Sequence, residues 1–130
     1  MRCFVAVPVA EPVRDLLVRV QDELRRADAQ IKWVERNNLH LTLKFLGDVD
    51  DRQVAALKEL LSAEAARWKP LHLQYGGIGT FPERGVPRVV WAGALGEVDR
   101  LAELASAVER QAESVGVPRD RHPFVAHLTI

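Results

Sequence analysis

Three stretches of helical periodicity, separated by strand-length apolar runs, leave this chain few architectures. Val13, Leu16, Leu17, Val20 and Leu24 recur at helical spacing from Pro12 to about Arg26. Val54, Leu57, Leu61, Ala65 and Trp68 mark a second helix, with Asp50 and Gln53 placed as a capping box and Pro70 as its stop. Val98, Leu101, Ala105, Val108, Ala112 and Val115 mark a third, ended by Gly116 and Pro118. Between them lie strand-like runs: CFVAVPV (3–9), IKWV (31–34), NLHLTLKF (38–45), LHLQYGGIGTF (71–81), PRVVWAGAL (87–95) and FVAHLTI (124–130). The glycines of the fourth run, Gly76, Gly77 and Gly79, read as a tight turn. They lack the strand-to-helix setting of a phosphate-binding loop. The predicted order is β-α-β-β-α-β-β-α-β, an α+β domain with helices packed on sheets.

Composition narrows the function classes. Eighteen basic residues balance eighteen acidic ones. A protein that grips long duplex nucleic acid usually carries a basic excess, because neutralised phosphates supply most of the affinity. Any nucleic acid partner is therefore expected to be a small piece or an end, not an extended duplex. The apolar runs are strand-sized, so no membrane span is expected. The start MRCFVAVPVA is too short and too soon charged for a signal peptide. With the single cysteine, Cys3, this points to a reducing compartment, the cytoplasm.

The run NLHLTLKFLG carries the chemistry. Alternation puts Leu39, Leu41, Leu43 and Phe45 on one face, and His40, Thr42 and Lys44 on the other. The last four residues, HLTI at 127–130, repeat HLTL at 40–43. In both copies His and Thr share one strand face opposite aliphatic residues. A single His-x-Thr in a strand also reads as an ordinary polar sheet face. Two copies allow a paired reading. An imidazole with a reference pKa of about 6.5 accepts or donates a proton near neutral pH. Two of them across one phosphorus atom divide the work: one takes a proton from water, the other protonates the leaving oxygen. A threonine two residues on donates to a non-bridging phosphate oxygen and stabilises charge growing in the transition state. The arrangement needs no metal and no cofactor. His72, His122 and Cys3 are not spaced as a zinc set.

The paired motifs, the first inside HLTLKFLG, resemble the 2H phosphoesterase superfamily. The rest of the chain is similar to its bacterial branch, the RNA 2′,3′-cyclic phosphodiesterases, also called 2′-5′ RNA ligase-like proteins. The matching blocks are RCFVAVPV, WVERNNLHLTLKFLGDV, IGTFPERGVPRVVWAG and RHPFVAHLTI. The resemblance implies a bilobal fold with pseudo-twofold symmetry: two antiparallel sheets flanked by helices, the two motifs facing one groove. It implies hydrolysis of a 2′,3′-cyclic phosphate at an RNA 3′ end or on a nucleotide, leaving a 2′-phosphate. By motif position, His40 would protonate the leaving 3′-oxygen, His127 would accept the proton of water, and Thr42 and Thr129 would bind phosphate oxygens. Some relatives also join or break 2′-5′ linkages.

Two departures stand out. Ala126 occupies the place where the family usually has Pro-His before the second motif. The chain also stops inside that motif's strand, where family members continue. The expectation is one 2H domain over 1–130, truncated at its C-terminus, with unpaired strand groups at Ile130. The alternatives are a nucleotide or RNA-end binding module without turnover, or 2′-5′ RNA ligase activity.

Several residues keep two readings. Phe124 is a base-stacking candidate, although regular alternation turns it away from His127 toward the core. Arg121, with Arg119 and His122, is a candidate for a flanking phosphate or a solvated loop. Lys44 shares the His40 face and either reaches phosphate or is solvated. Trp33, Trp68 and Trp91 read as packing residues, and His72 as sheet surface.

Overall fold

The computed structural model describes residues 1–27 and 31–130. Its elements are β1 (Arg2–Pro8), α1 (Glu11–Arg25), a 3-10 turn (Arg36–Asn38), β2 (His40–Asp48), α2 (Asp51–Ala65), β3 (Leu73–Phe81), β4 (Val89–Gly96), α3 (Val98–Ser114) and β5 (His127–Thr129). β1 pairs with β2, and β3, β4 and β5 form a second sheet in that order. The fold is α+β, as the periodicity predicts. The chain divides into two compact units, and the division passes through β2 between Leu41 and Thr42.

The first unit comprises Met1–Ala6, Thr42–Leu73 and Glu97–Val125. Here Met1 and Val49 exchange backbone hydrogen bonds, of 2.9 and 3.2 Å, so β1 and β2 run antiparallel. α2 starts at the expected capping box: the Gln53 N–H donates to the Asp50 carboxylate (2.8 Å) and the Asp50 N–H to Gln53 Oε1 (3.0 Å). Gln53 Nε2 also donates to the Val115 carbonyl (3.0 Å), which ties the start of α2 to the end of α3. α3 stops at Gly116, whose φ of 92° is the left-handed geometry that favours glycine. Val49, Ala112 and Val117 form a core with Cys3, Leu46, Val54 and Val115 around it. On α2 the apolar stripe deviates: Ala65 is exposed and Glu64 is buried. Glu64 accepts from the Trp68 indole (3.0 Å) and from Gln111 (3.4 Å), which compensates its burial.

The second unit comprises Val7–Leu41, Gln74–Gly96 and Ala126–Ile130. It holds α1, the 3-10 turn and the three-stranded sheet. β5 runs antiparallel to β4, with Trp91 opposite Thr129, Ala92 opposite Leu128 and Gly93 opposite His127. Leu39, Leu41 and Leu128 are fully buried, each burial worth about 1.5–3 kcal/mol relative to exposure.

Three expectations are corrected in this unit. Residues 31–34 are not a strand. The Val34 N–H does reach the Ile130 carbonyl (2.8 Å), but the Val34 carbonyl is taken by the Gln21 side chain (2.8 Å), so no ladder continues. Gly76, Gly77 and Gly79 lie inside β3 and form no turn between strands. Absent side chains there permit close approach: a Cβ on Gly79 would fall 2.0 Å from Trp91 Cζ2. The backbone groups of Ile130 are not unpaired. Its N–H donates to Val90 (2.9 Å), and its carbonyl accepts from Val34 and Gln21.

Candidate active site

His40 is the first residue of β2, and three local devices set it there. The 3-10 turn ends just before it, with the Asn38 N–H on the Glu35 carbonyl (2.8 Å). Arg36 in that turn is forked onto α1, donating to Asp15 (2.9 and 3.1 Å) and to Glu11. The hydrogen bonds from Arg36 to Glu11 and Asp15 raise its pKa further, so the fork stays charged. Leu39 and Leu41 are both fully buried, so strand alternation turns His40 to the opposite face, where it is half-buried.

His127 is the first residue of β5 and is also half-buried. Burial of Leu128 directs His127 and Thr129 to one face of the strand. Its ring stands edge-on to two aromatic rings, Phe81 at 5.8 Å and 82° and Trp91 at 6.2 Å and 68°. Phe81 and Trp91 also touch each other, at 5.7 Å and 35°. The cluster walls one side of the imidazole with apolar surface and limits its rotamers. Phe81 remains 44% exposed at the end of β3. The Trp91 indole N–H is buried and has no hydrogen-bond partner among the described residues. Composition and periodicity do not reveal this cluster. Phe81 and Trp91 meet His127 only through β3–β4–β5 pairing, and no local pattern encodes that register.

Both motif histidines and Thr129 thus fall in the second unit. Thr129 is exposed, opposite Trp91. Thr42, half-buried, falls in the first unit, two residues along β2 from His40. Phe124 is half-buried in the first unit and precedes β5, which starts only at His127, so strand alternation does not govern it. Arg121 and His122 are exposed in the same loop. Arg119 is paired with Glu113 at 2.7 Å.

Lys44 is the clearest departure from the alternation. It is buried, its ammonium paired with Glu109 and with Asp120 (3.4 Å) and donating to the Pro118 carbonyl (3.1 Å). Its charge is consumed inside the first unit, so Lys44 is neither solvated nor a phosphate ligand. Phe45, expected in the core, is 69% exposed and meets Phe4 at 6.2 Å. A surface hollow of about 420 Å³ elsewhere in the first unit is lined by Trp68, Asp99 and Arg110 and contains none of the motif residues. Among the described residues, no three His, Cys, Asp or Glu side chains are grouped to hold a metal ion, and no helix is long and apolar enough to cross a membrane.

Comparison with known proteins gives consistent matches. A family model described as LigT like Phosphoesterase matches residues 7–91. The chain is 39% identical over 130 residues to an RNA 2′,3′-cyclic phosphodiesterase of Archaeoglobus fulgidus, covering 100% of this chain and 71% of that one. A crystal structure of a Thermus thermophilus protein superposes with a TM-score of 0.84 at 32% identity, over 99% of this chain and 72% of that chain. Escherichia coli LigT complexed with 3′-AMP superposes with a TM-score of 0.81 at 28% identity, over 99% of this chain and 71% of that chain.

Proposed function

The chain belongs to the LigT-like phosphoesterase family, and on that premise we propose that it hydrolyses 2′,3′-cyclic phosphates at RNA 3′ ends or on nucleotides, leaving a 2′-phosphate. The observation that carries this reading is the pair of His-x-Thr strands, with His40 and His127 each opening its strand, half-buried, in the same compact unit. The relatives named as RNA 2′,3′-cyclic phosphodiesterases support the substrate class.

In the proposed reaction a water oxygen attacks phosphorus as His127 accepts its proton. The bond from phosphorus to the 3′-oxygen breaks as His40 gives that oxygen a proton. One water is consumed, and the 3′-hydroxyl and 2′-phosphate are formed. Proton exchange with solvent resets both imidazoles. Thr129, in the same unit as both histidines, donates to a non-bridging oxygen, where negative charge grows in the transition state. The Phe81–Trp91 wall restricts His127 to few orientations, so less ordering remains at the moment of reaction.

The test is incubation with a 2′,3′-cyclic mononucleotide in EDTA and chromatographic separation of the 2′- and 3′-phosphate products, with His127→Ala alongside. A 2′-phosphate that disappears in the variant is the expected result. Turnover that survives both His40→Ala and His127→Ala would end the two-histidine mechanism. Saturable binding without product would leave a nucleotide-binding protein instead.

A further inference from the structure

α1 carries a polar residue where its periodicity calls for an apolar one. Gln21 lies four residues after Leu17 on the buried stripe and is 2% exposed. Burying an amide is costly unless it is hydrogen-bonded. Here Nε2 makes two bonds, to the Val34 carbonyl at 2.8 Å and to the Ile130 carbonyl at 2.6 Å. Both acceptors are backbone, and they belong to distant segments. Val34 precedes His40 by six residues and Ile130 follows His127 by three. The same two segments touch directly, through the Val34 N–H on the Ile130 carbonyl. All of these groups lie in the second unit.

From this geometry we infer that Gln21 is a positioning residue for the paired histidines. It clamps the segment leading into the first motif to the end of the second, and so sets the spacing of the two imidazoles. The clamp needs two N–H donors and no charge at full burial. A leucine would leave the Val34 carbonyl without this donor, and an ammonium would bury an unpaired cation. Arg36, forked onto the first turn of α1, holds the same approach segment at a second point. α1 is then the template against which both motif strands are aligned. The role rests on the hydrolase reading above, because misplacing a proton donor by about 1 Å costs on the order of a hundredfold in rate.

The experiment compares the full chain with Gln21→Met and Gln21→Glu. Turnover of a 2′,3′-cyclic mononucleotide is followed between about pH 5 and pH 9, with the folded fraction fixed by circular dichroism at each pH. Gln21→Met is expected to lower kcat at least about tenfold at every pH while KM stays within about twofold, the pattern of a group that acts on the transition state only. Gln21→Glu opposes a carboxylate to two carbonyl oxygens when ionised and donates one bond when protonated. Burial raises a carboxyl pKa, so the activity of this variant relative to the parent should rise toward acid pH. Both variants folded, with kcat within about twofold of the parent and an unshifted profile, would overturn the inference. If neither folds, Gln21→Asn replaces them. It keeps the amide but shortens its reach, and an unchanged kcat there also overturns the inference. Absence of turnover in the parent would refute the hydrolase reading instead. The clamp is then tested by hydrogen exchange at the Val34 amide, which must lose protection in a folded Gln21 variant; unchanged protection overturns it.

Discussion

The indole of Trp91 lies so close over Gly79 that a Cβ at residue 79 would come within 2.0 Å of Cζ2 and 2.4 Å of Cε2. The same ring also stands against His127. Gly79→Ala therefore forces the indole off β3 and disturbs the wall of the imidazole. Overpacking of this kind costs about 1–3 kcal/mol. The urea midpoint should fall accordingly, and kcat should fall with it in the folded variant. A midpoint equal to the parent's would mean that the ring has room to move.

Lys44→Met removes a buried cation from between Glu109 and Asp120. Breaking one partner out of a buried pair costs about 3–5 kcal/mol, and the low end applies here because Asp120 is half-exposed and screened by solvent. Adding Glu109→Gln should restore part of the loss, since the stranded charge is then gone. Denaturation of the single and double variants measures the coupling. A double variant no more stable than Lys44→Met would rule out the ion pair as the cause.

Acid should loosen the first unit by a route that can be traced to two carboxyls. The Glu64 carboxyl is held below its ordinary value chiefly by the hydrogen bond from the Trp68 indole, and Glu97 chiefly by Arg100. A carboxyl whose folded pKa lies below its unfolded value adds stability that is complete above the unfolded value and is lost as pH falls through the folded one. Stability should therefore decline below about pH 4. Glu64→Gln keeps an acceptor for the indole and removes the titration. Its stability should vary less with pH over that range than the parent's. Identical pH profiles would show that Glu64 does not contribute.

His40→Ala and His127→Ala should each lower kcat for hydrolysis of a 2′,3′-cyclic phosphate by about 10²- to 10⁴-fold. A folded variant that keeps the parent's kcat would contradict the acid or base role of the histidine it lacks.

Much of this fold is legible in local pattern. The periodicity of α1, α2 and α3, the Asp50–Gln53 capping box and the Gly116 stop are local signals, and each depends on contacts within a few residues. The repeated His-x-Thr also needs no tertiary knowledge, since strand alternation alone puts His and Thr on one face. Local pattern fails where a distant segment arrives. Lys44 and Phe45 exchange their expected environments because Glu109, Pro118 and Asp120 close over the lysine. Gln21 looks like a polar break in a helix stripe until Val34 and Ile130 come to it.

Periodicity, caps and motifs are short-range physics written along the chain, and they suffice for the helices, the repeated His-x-Thr and the family. What surrounds each motif is settled only by folding: the Phe81–Trp91 wall on His127, the burial of Lys44 and the Gln21 clamp. The reason is that an unpaired carbonyl, a buried charge or a missing Cβ acquires its energy from whatever packs against it. For Gln21 and Ile130, that neighbour lies 109 positions away.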